Sequence, residues 1–139
     1  MDTFGGLPCG PPEDSVYACL VAVVLVVDDL DLVRSLCKNI LDRAGHYVIE
    51  ASDGVEAVKT YQEHRPDAVL LDLMMPGMDG LSALREIRKL DPNARVAMFT
   101  AHRERDQVLR AIELGAKDYV VKPFHADRLV QAVNKLLTS

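Results

Sequence analysis

The chain has no excess of basic residues, no closely spaced cysteine pair and no apolar run long enough to span a bilayer, and each absence removes a class of function. With 16 Lys and Arg against 21 Asp and Glu, the formal net charge is −5. No basic stripe is available to neutralise phosphates, which argues against direct binding to nucleic acid. The small basic groups Arg85/Arg88/Lys89 and Arg103/Arg105 are interspersed with acids and read as solvated helix faces. Cys9, Cys19 and Cys37 form no CxxC motif and no even-numbered framework. They read as free thiols in a reducing compartment, with Cys19 and Cys37 as small core residues. The longest apolar run, Val16 to Val27, has twelve residues, too few for a membrane span. No Lys or Arg precedes Arg34, and the run ends in Asp28-Asp29, so it lacks the marks of a removable signal segment. No internal repeat is visible. The cytoplasm is the expected compartment.

What is present is one domain's worth of ordinary globular sequence: 139 residues, 49% apolar and 27% charged. Residues 1–15 carry six Gly or Pro and little to bury. Residues 1–22 are therefore expected to form an N-terminal tail or arm of unknown role, with Val16 to Ala22 unassigned. From Val23 the pattern alternates. Short apolar runs at 23–27, 46–50, 68–71, 95–100 and 118–121 read as strands. Helical spacing follows each of them: Leu32, Val33, Leu36, Ile40 and Leu41; Val55, Val58 and Tyr61; Leu81, Leu84, Ile87 and Leu90; Val108, Ala111 and Ile112; Leu129, Val133, Leu136 and Leu137. Asp53 and Glu56 stand at capping-box spacing, and Gly45 and Gly115 at helix stops. Five strands alternating with five helices predict an α/β fold, a doubly wound parallel sheet with right-handed crossovers.

In such a sheet all strand ends meet at one edge, where these folds place their ligands. Four of the five expected strands end in residues suited to phosphate or metal chemistry: Asp28 and Asp29, Asp72, Thr100, and Lys122. Three carboxylates in one crevice repel one another and call for a cation. Mg²⁺ suits them because it takes one or two carboxylates, keeps waters and bridges to phosphate oxygens. A carboxylate beside Mg²⁺ and a lysine can attack phosphorus. Lys122 is expected to pair with Asp72 at rest, and Thr100 to offer a hydroxyl to a phosphoryl oxygen, with the small Ala101 leaving room. His102 lies near the pocket mouth, either as an exposed loop residue or as a tuner of acyl phosphate hydrolysis. His125 precedes the last helix, His46 and His64 have no partner at metal-ligand spacing, and Met74-Met75 reads as loop packing.

The segments VVLVVDD (23–29), ASDGVEAV (51–58), VLLDLMMPGMDG (69–80), MFTA (98–101) and LGAKDYVVKPF (114–124) resemble the receiver domain of two-component response regulators. The resemblance covers residues 23–137, and the receiver unit is taken as 23–139. It implies a flavodoxin-like sheet of strand order 2-1-3-4-5. It implies Asp72 as phosphoacceptor, Asp28 and Asp29 as Mg²⁺ residues with Asp29 the more direct ligand, and the Met74 backbone carbonyl as a further ligand. Thr100 and Lys122 would contact the phosphoryl group, across a cis Lys122–Pro123 bond. Thr100 and Tyr119 stand at the family's switch positions, so phosphorylation is expected to reshape the face made by the fourth helix, fifth strand and fifth helix. The implied donor is a histidine kinase or histidine phosphotransfer protein. The implied output is a separate protein or a C-terminal domain absent from this chain, and a homodimer is compatible. Phosphotransfer and dephosphorylation would be self-catalysed, without a conventional enzyme activity. Two other readings compete. Asp29-Leu30-Asp31 fits a phosphohydrolase of the haloacid dehalogenase type with Asp29 as nucleophile, although no later acidic pair or cap follows. A degenerate receiver that never takes phosphate is disfavoured by the complete residue set.

Overall fold

The computed structural model describes residues 21–75, 77–101 and 105–138. The expected readings for residues 1–20, Pro76, His102 and Arg103 lie outside this set.

Ten elements alternate along the chain: β1 (Val23–Val27), α1 (Asp31–Arg43), β2 (Tyr47–Ala51), α2 (Gly54–His64), β3 (Ala68–Asp72), α3 (Gly80–Leu90), β4 (Val96–Thr100), α4 (Arg105–Glu113), β5 (Asp118–Val121) and α5 (Ala126–Thr138). The strands form one parallel sheet in the order β2-β1-β3-β4-β5, as the resemblance implied. No helix among the described residues is long and apolar enough to cross a membrane.

Side chains alternate across a strand, so each strand feeds two cores. Leu25, Val27, Val69, Leu71 and Met98 face α2, α3 and α4, where they meet Ala57, Tyr61, Leu84, Ile87 and Ala111. Val24, Val26, Leu70, Ala97, Phe99 and Val120 face α1 and α5, where they meet Cys37, Leu41, Leu129, Val133 and Leu136. The three central strands are buried on both faces, which is why they read as unbroken apolar runs.

Several expectations need correction. Cys37 and Leu41 are the fully buried residues of α1, with Val33 and Ile40 packed against the same core, while Leu32 is 81% exposed and Leu36 half exposed. The sequence pattern caught both faces because apolar residues occur on both. Likewise α2 buries Ala57 and Tyr61 and leaves Val55 outside, and α4 buries Ala111 but not Ile112. β2 begins at Tyr47 because His46 closes the preceding turn, its N–H donating to Leu41 O at 3.0 Å. β4 begins one residue later than expected, at Val96. Arg88 is not simply solvated: it donates to Ala94 O at 3.2 Å and lies against Gly115, whose φ of +105° suits a helix stop. Ala22 continues beside β2, accepting from Tyr47 N–H at 2.9 Å.

The caps behave as their sequences imply. Asp53 accepts from Glu56 N–H at 2.8 Å, while the Glu56 carboxylate reaches back to Ser52 N–H at 2.6 Å, one residue before the usual capping-box partner. Asp79 caps α3 by accepting from Ser82 N–H at 2.8 Å. This fixes the start of α3 directly over the end of β3. A Cβ added to Gly80 would stand 2.7 Å from Leu73 Cα, so only glycine permits the approach.

Candidate functional site

The C-terminal ends of β1, β3, β4 and β5 deliver Asp28, Asp29, Asp72, Thr100 and Lys122 to one edge of the sheet. Carboxylate oxygens of Asp28, Asp29 and Asp72 lie within 4.8 Å of one another. Asp28 is 0% and Asp72 6% exposed, Thr100 is buried, and Asp29 is open to solvent.

Asp28 is held at every polar atom. Its N–H donates to Ala51 O at 3.2 Å. One carboxylate oxygen accepts from Leu30 N–H at 2.9 Å, and the other meets the Lys122 ammonium. Its carbonyl accepts from Arg34 at 2.6 Å. Burying a carboxylate without such partners would cost several kcal/mol, on the order of its desolvation. Lys122 Nζ is also 3.6 Å from Asp72 and sits 4.7 Å from the Phe99 ring centre. The expected Lys122–Asp72 pair is therefore present, but Asp28 is the nearer anion.

Burial pushes the Asp72 carboxyl up to about 6. The Lys122 ammonium and a hydrogen bond from the Met74 backbone oppose this, while Asp28 and Asp29 add to it. A buried acid kept costly to ionise by two neighbouring anions is a site that gains from a bound cation. The donor set is all oxygen, which fits a hard divalent ion, and the exposed Asp29 leaves a route for one to enter.

The Lys122–Pro123 bond is cis, as the resemblance implied, and Lys122 N–H donates to Thr100 O at 2.7 Å, joining the ends of β4 and β5. Tyr119 is half-buried on β5, packed toward the α2–α4 core. Met74 is 54% exposed in the loop after β3, whereas Met75 is buried, so only the second of the pair is core packing. His46 is buried; its Nδ1 accepts from Ala22 N–H at 3.2 Å, and burial holds its pKa below the ordinary value. It clips the start of β1 and takes no part in the site. His125 is exposed and its carbonyl accepts from Arg128 N–H at 3.0 Å, at the start of α5.

Sequence reading missed Arg34. Its guanidinium contacts Asp31, donates to Glu50 at 3.1 Å and grips the Asp28 carbonyl. Through Glu50 the second strand, which carries no site residue of its own, reaches the site. The Asp31–Arg34 spacing of three residues on a helix was the available signal. The same contact bears on the dehalogenase-type alternative. Asp31, the second acid of that motif, is 90% exposed at the side chain, contacts Arg34 and is not part of the acidic cluster.

Comparison with known proteins agrees with this geometry. The family model described as "Response regulator receiver domain" matches residues 24–134. The chemotaxis protein CheY of Bacillus subtilis is 47% identical over 115 residues, covering 82% of this chain and 96% of CheY. A solved CheX–CheY–BeF3–Mg complex from Borrelia burgdorferi contains a chain with a TM-score of 0.81 and 36% identity, covering 84% of this chain and 90% of that one. NtrX from Brucella abortus also has a TM-score of 0.81 and 36% identity, covering 86% of this chain but only 27% of NtrX. Nothing in these matches supports a dehalogenase-type hydrolase.

Proposed function

This chain belongs to the response regulator receiver domain family, with a phosphoacceptor role in two-component signalling, and we propose that Asp72 is the residue that takes the phosphate. The observation that carries this assignment is the placement of Asp72. Asp28 is equally buried but has both carboxylate oxygens engaged, by Leu30 N–H and Lys122, and Asp29 is exposed, whereas Asp72 is the buried last residue of central strand β3 with Lys122 only 3.6 Å away.

Asp29, Asp72 and the Met74 backbone carbonyl would hold Mg²⁺, with Asp28 beside them. Both oxygens of Asp28 are already engaged by Leu30 N–H and Lys122, which favours Asp29 as the direct ligand. When bound, the ion neutralises the carboxylates and offsets charge on the phosphoryl oxygens. An ionised Asp72 oxygen attacks phosphorus; the new O–P bond forms as the N–P bond of a phosphohistidine breaks, and the imidazole leaves. Lys122 is already at the pocket and needs only to turn from Asp28 toward the incoming group. The Thr100 hydroxyl donates to a phosphoryl oxygen. Transfer and later hydrolysis are then self-catalysed by the domain.

The donor is a histidine kinase or histidine phosphotransfer protein in the cytoplasm. Thr100 and Tyr119 couple the phosphoryl group to α4, β5 and α5, the face that engages an output protein or a further domain. The receiver unit is taken as residues 23–139. Amide NMR of the protein with Mg²⁺ and beryllofluoride tests the reading. Shifts at Asp72, Thr100 and Lys122 that vanish in Asp72→Asn are expected. Equal shifts in that variant would refute it.

A further inference from the structure

We infer that Arg34 is a positioning residue for the acidic pair, holding the peptide between Asp28 and Asp29 so that Asp29 presents its carboxylate to a divalent cation. This rests on the Mg²⁺ reading above and concerns a residue outside the ligand set.

The side chain of Arg34 is only 12% exposed and stands in the first turn of α1, on the face that carries Cys37 and Leu41. Its three nitrogens are used on three different elements. One donates to the Asp28 carbonyl at 2.6 Å, one to Glu50 at the end of β2 at 3.1 Å, and one meets Asp31 at the start of α1. The planar fork of a guanidinium serves all three from three separate nitrogens, whereas a lysine offers a single nitrogen. The carbonyl it grips belongs to the peptide whose nitrogen is that of Asp29. Gripping it fixes the plane of that peptide and hence the direction in which Asp29 leaves the strand. Among the described residues Asp29 has no comparable clamp of its own; its carboxylate is exposed and reaches the cluster from the rim. Glu50 and Asp31 in turn hold Arg34, so the two anions serve as anchors for the clamp. Residues behind metal ligands commonly change affinity about 10–100-fold when removed.

Charge and geometry pull in opposite directions here, which makes the inference testable. If Arg34 acted only through its charge, deleting a cation near three carboxylates would tighten Mg²⁺ binding. If it positions Asp29, deletion weakens binding. Mg²⁺ titration followed by amide NMR, at fixed ionic strength, should give roughly tenfold weaker binding for Arg34→Ala. Arg34→Lys, which keeps the charge but has one nitrogen where three are used, should fall a few-fold below wild type. In the metal-free proteins, the Asp29 and Leu30 amide resonances should move while those of α3 to α5 stay in place, a local signature that general destabilisation would not give. If Arg34→Ala does not fold, Arg34→Lys decides alone. Unchanged or tighter Mg²⁺ binding in whichever of these variants folds would overturn the inference. Failure of the wild type to bind Mg²⁺ would instead overturn the site assignment on which it stands.

Discussion

Lys122 stands between two acids of unequal claim: it contacts the fully buried Asp28 while its nitrogen lies 3.6 Å from Asp72. The resting lysine thus neutralises the carboxylate that cannot reach water and leaves Asp72 the less compensated of the two. In this arrangement the proposed phosphoacceptor is underpaired until a cation or phosphoryl group arrives.

The first consequence concerns stability. Asp72 titrates near 6 in the fold against an ordinary 3.8. Above about pH 6 the folded state therefore carries a penalty, which disappears as pH falls toward the ordinary value, where both states are protonated. Asp72→Asn removes the penalty. Without Mg²⁺, urea unfolding at pH 7 should find the variant more stable by on the order of 2–3 kcal/mol. The gain should shrink on acidification, and Mg²⁺ should stabilise the wild type more than the variant.

Removing the lysine should do the opposite. Lys122→Met leaves Asp28 buried with Leu30 N–H as its remaining carboxylate partner. Losing one side of a buried pair costs about 3–5 kcal/mol. Urea unfolding should register that loss, and Mg²⁺ should restore part of it by supplying a replacement cation. A variant as stable as wild type in metal-free buffer would contradict this account of the pair.

Gly80→Ala tests the backbone that carries Asp72. The added methyl meets the end of β3, with Leu73 Cα 2.7 Å away, and neither backbone segment is a flexible tip that can step aside. Overpacking of this kind costs about 1–3 kcal/mol. Weaker Mg²⁺ binding should accompany the lower unfolding midpoint, because the displaced backbone is that of Asp72 itself.

The architecture was legible because the strands are central and short. Runs such as Ala68–Leu71, buried on both faces, carry a signal that turns and charges bound sharply. The site was legible for a related reason: parallel strands place their last residues at one edge, so Asp28, Asp72, Thr100 and Lys122 could be joined from sequence. Helix faces were harder. Leu32 and Leu36 share the spacing of Val33, Ile40 and Leu41, yet only the latter three reach the core, with Cys37, because an apolar residue on the outer face of α1 is as visible in sequence as one inside. Arg34 was missed because its role is set by contacts to a carbonyl and to Glu50, sixteen residues away in sequence, and carbonyls carry no sequence signature.

The switch has its own test. With Mg²⁺ and beryllofluoride bound, amide shifts should spread from Asp72 into α4, β5 and α5. Thr100→Val lacks the hydroxyl while keeping the shape, so the shifts should stay confined to the pocket. Spread that persists in Thr100→Val would remove the threonine from the coupling.

The most direct measurement is site-mapped mass spectrometry after incubation with Mg²⁺ and acetyl phosphate. The account requires the wild type to gain one phosphoryl group, mapped to Asp72, and Asp72→Asn to gain none. A phosphoryl group on Asp29, or an undiminished gain in Asp72→Asn, would contradict it.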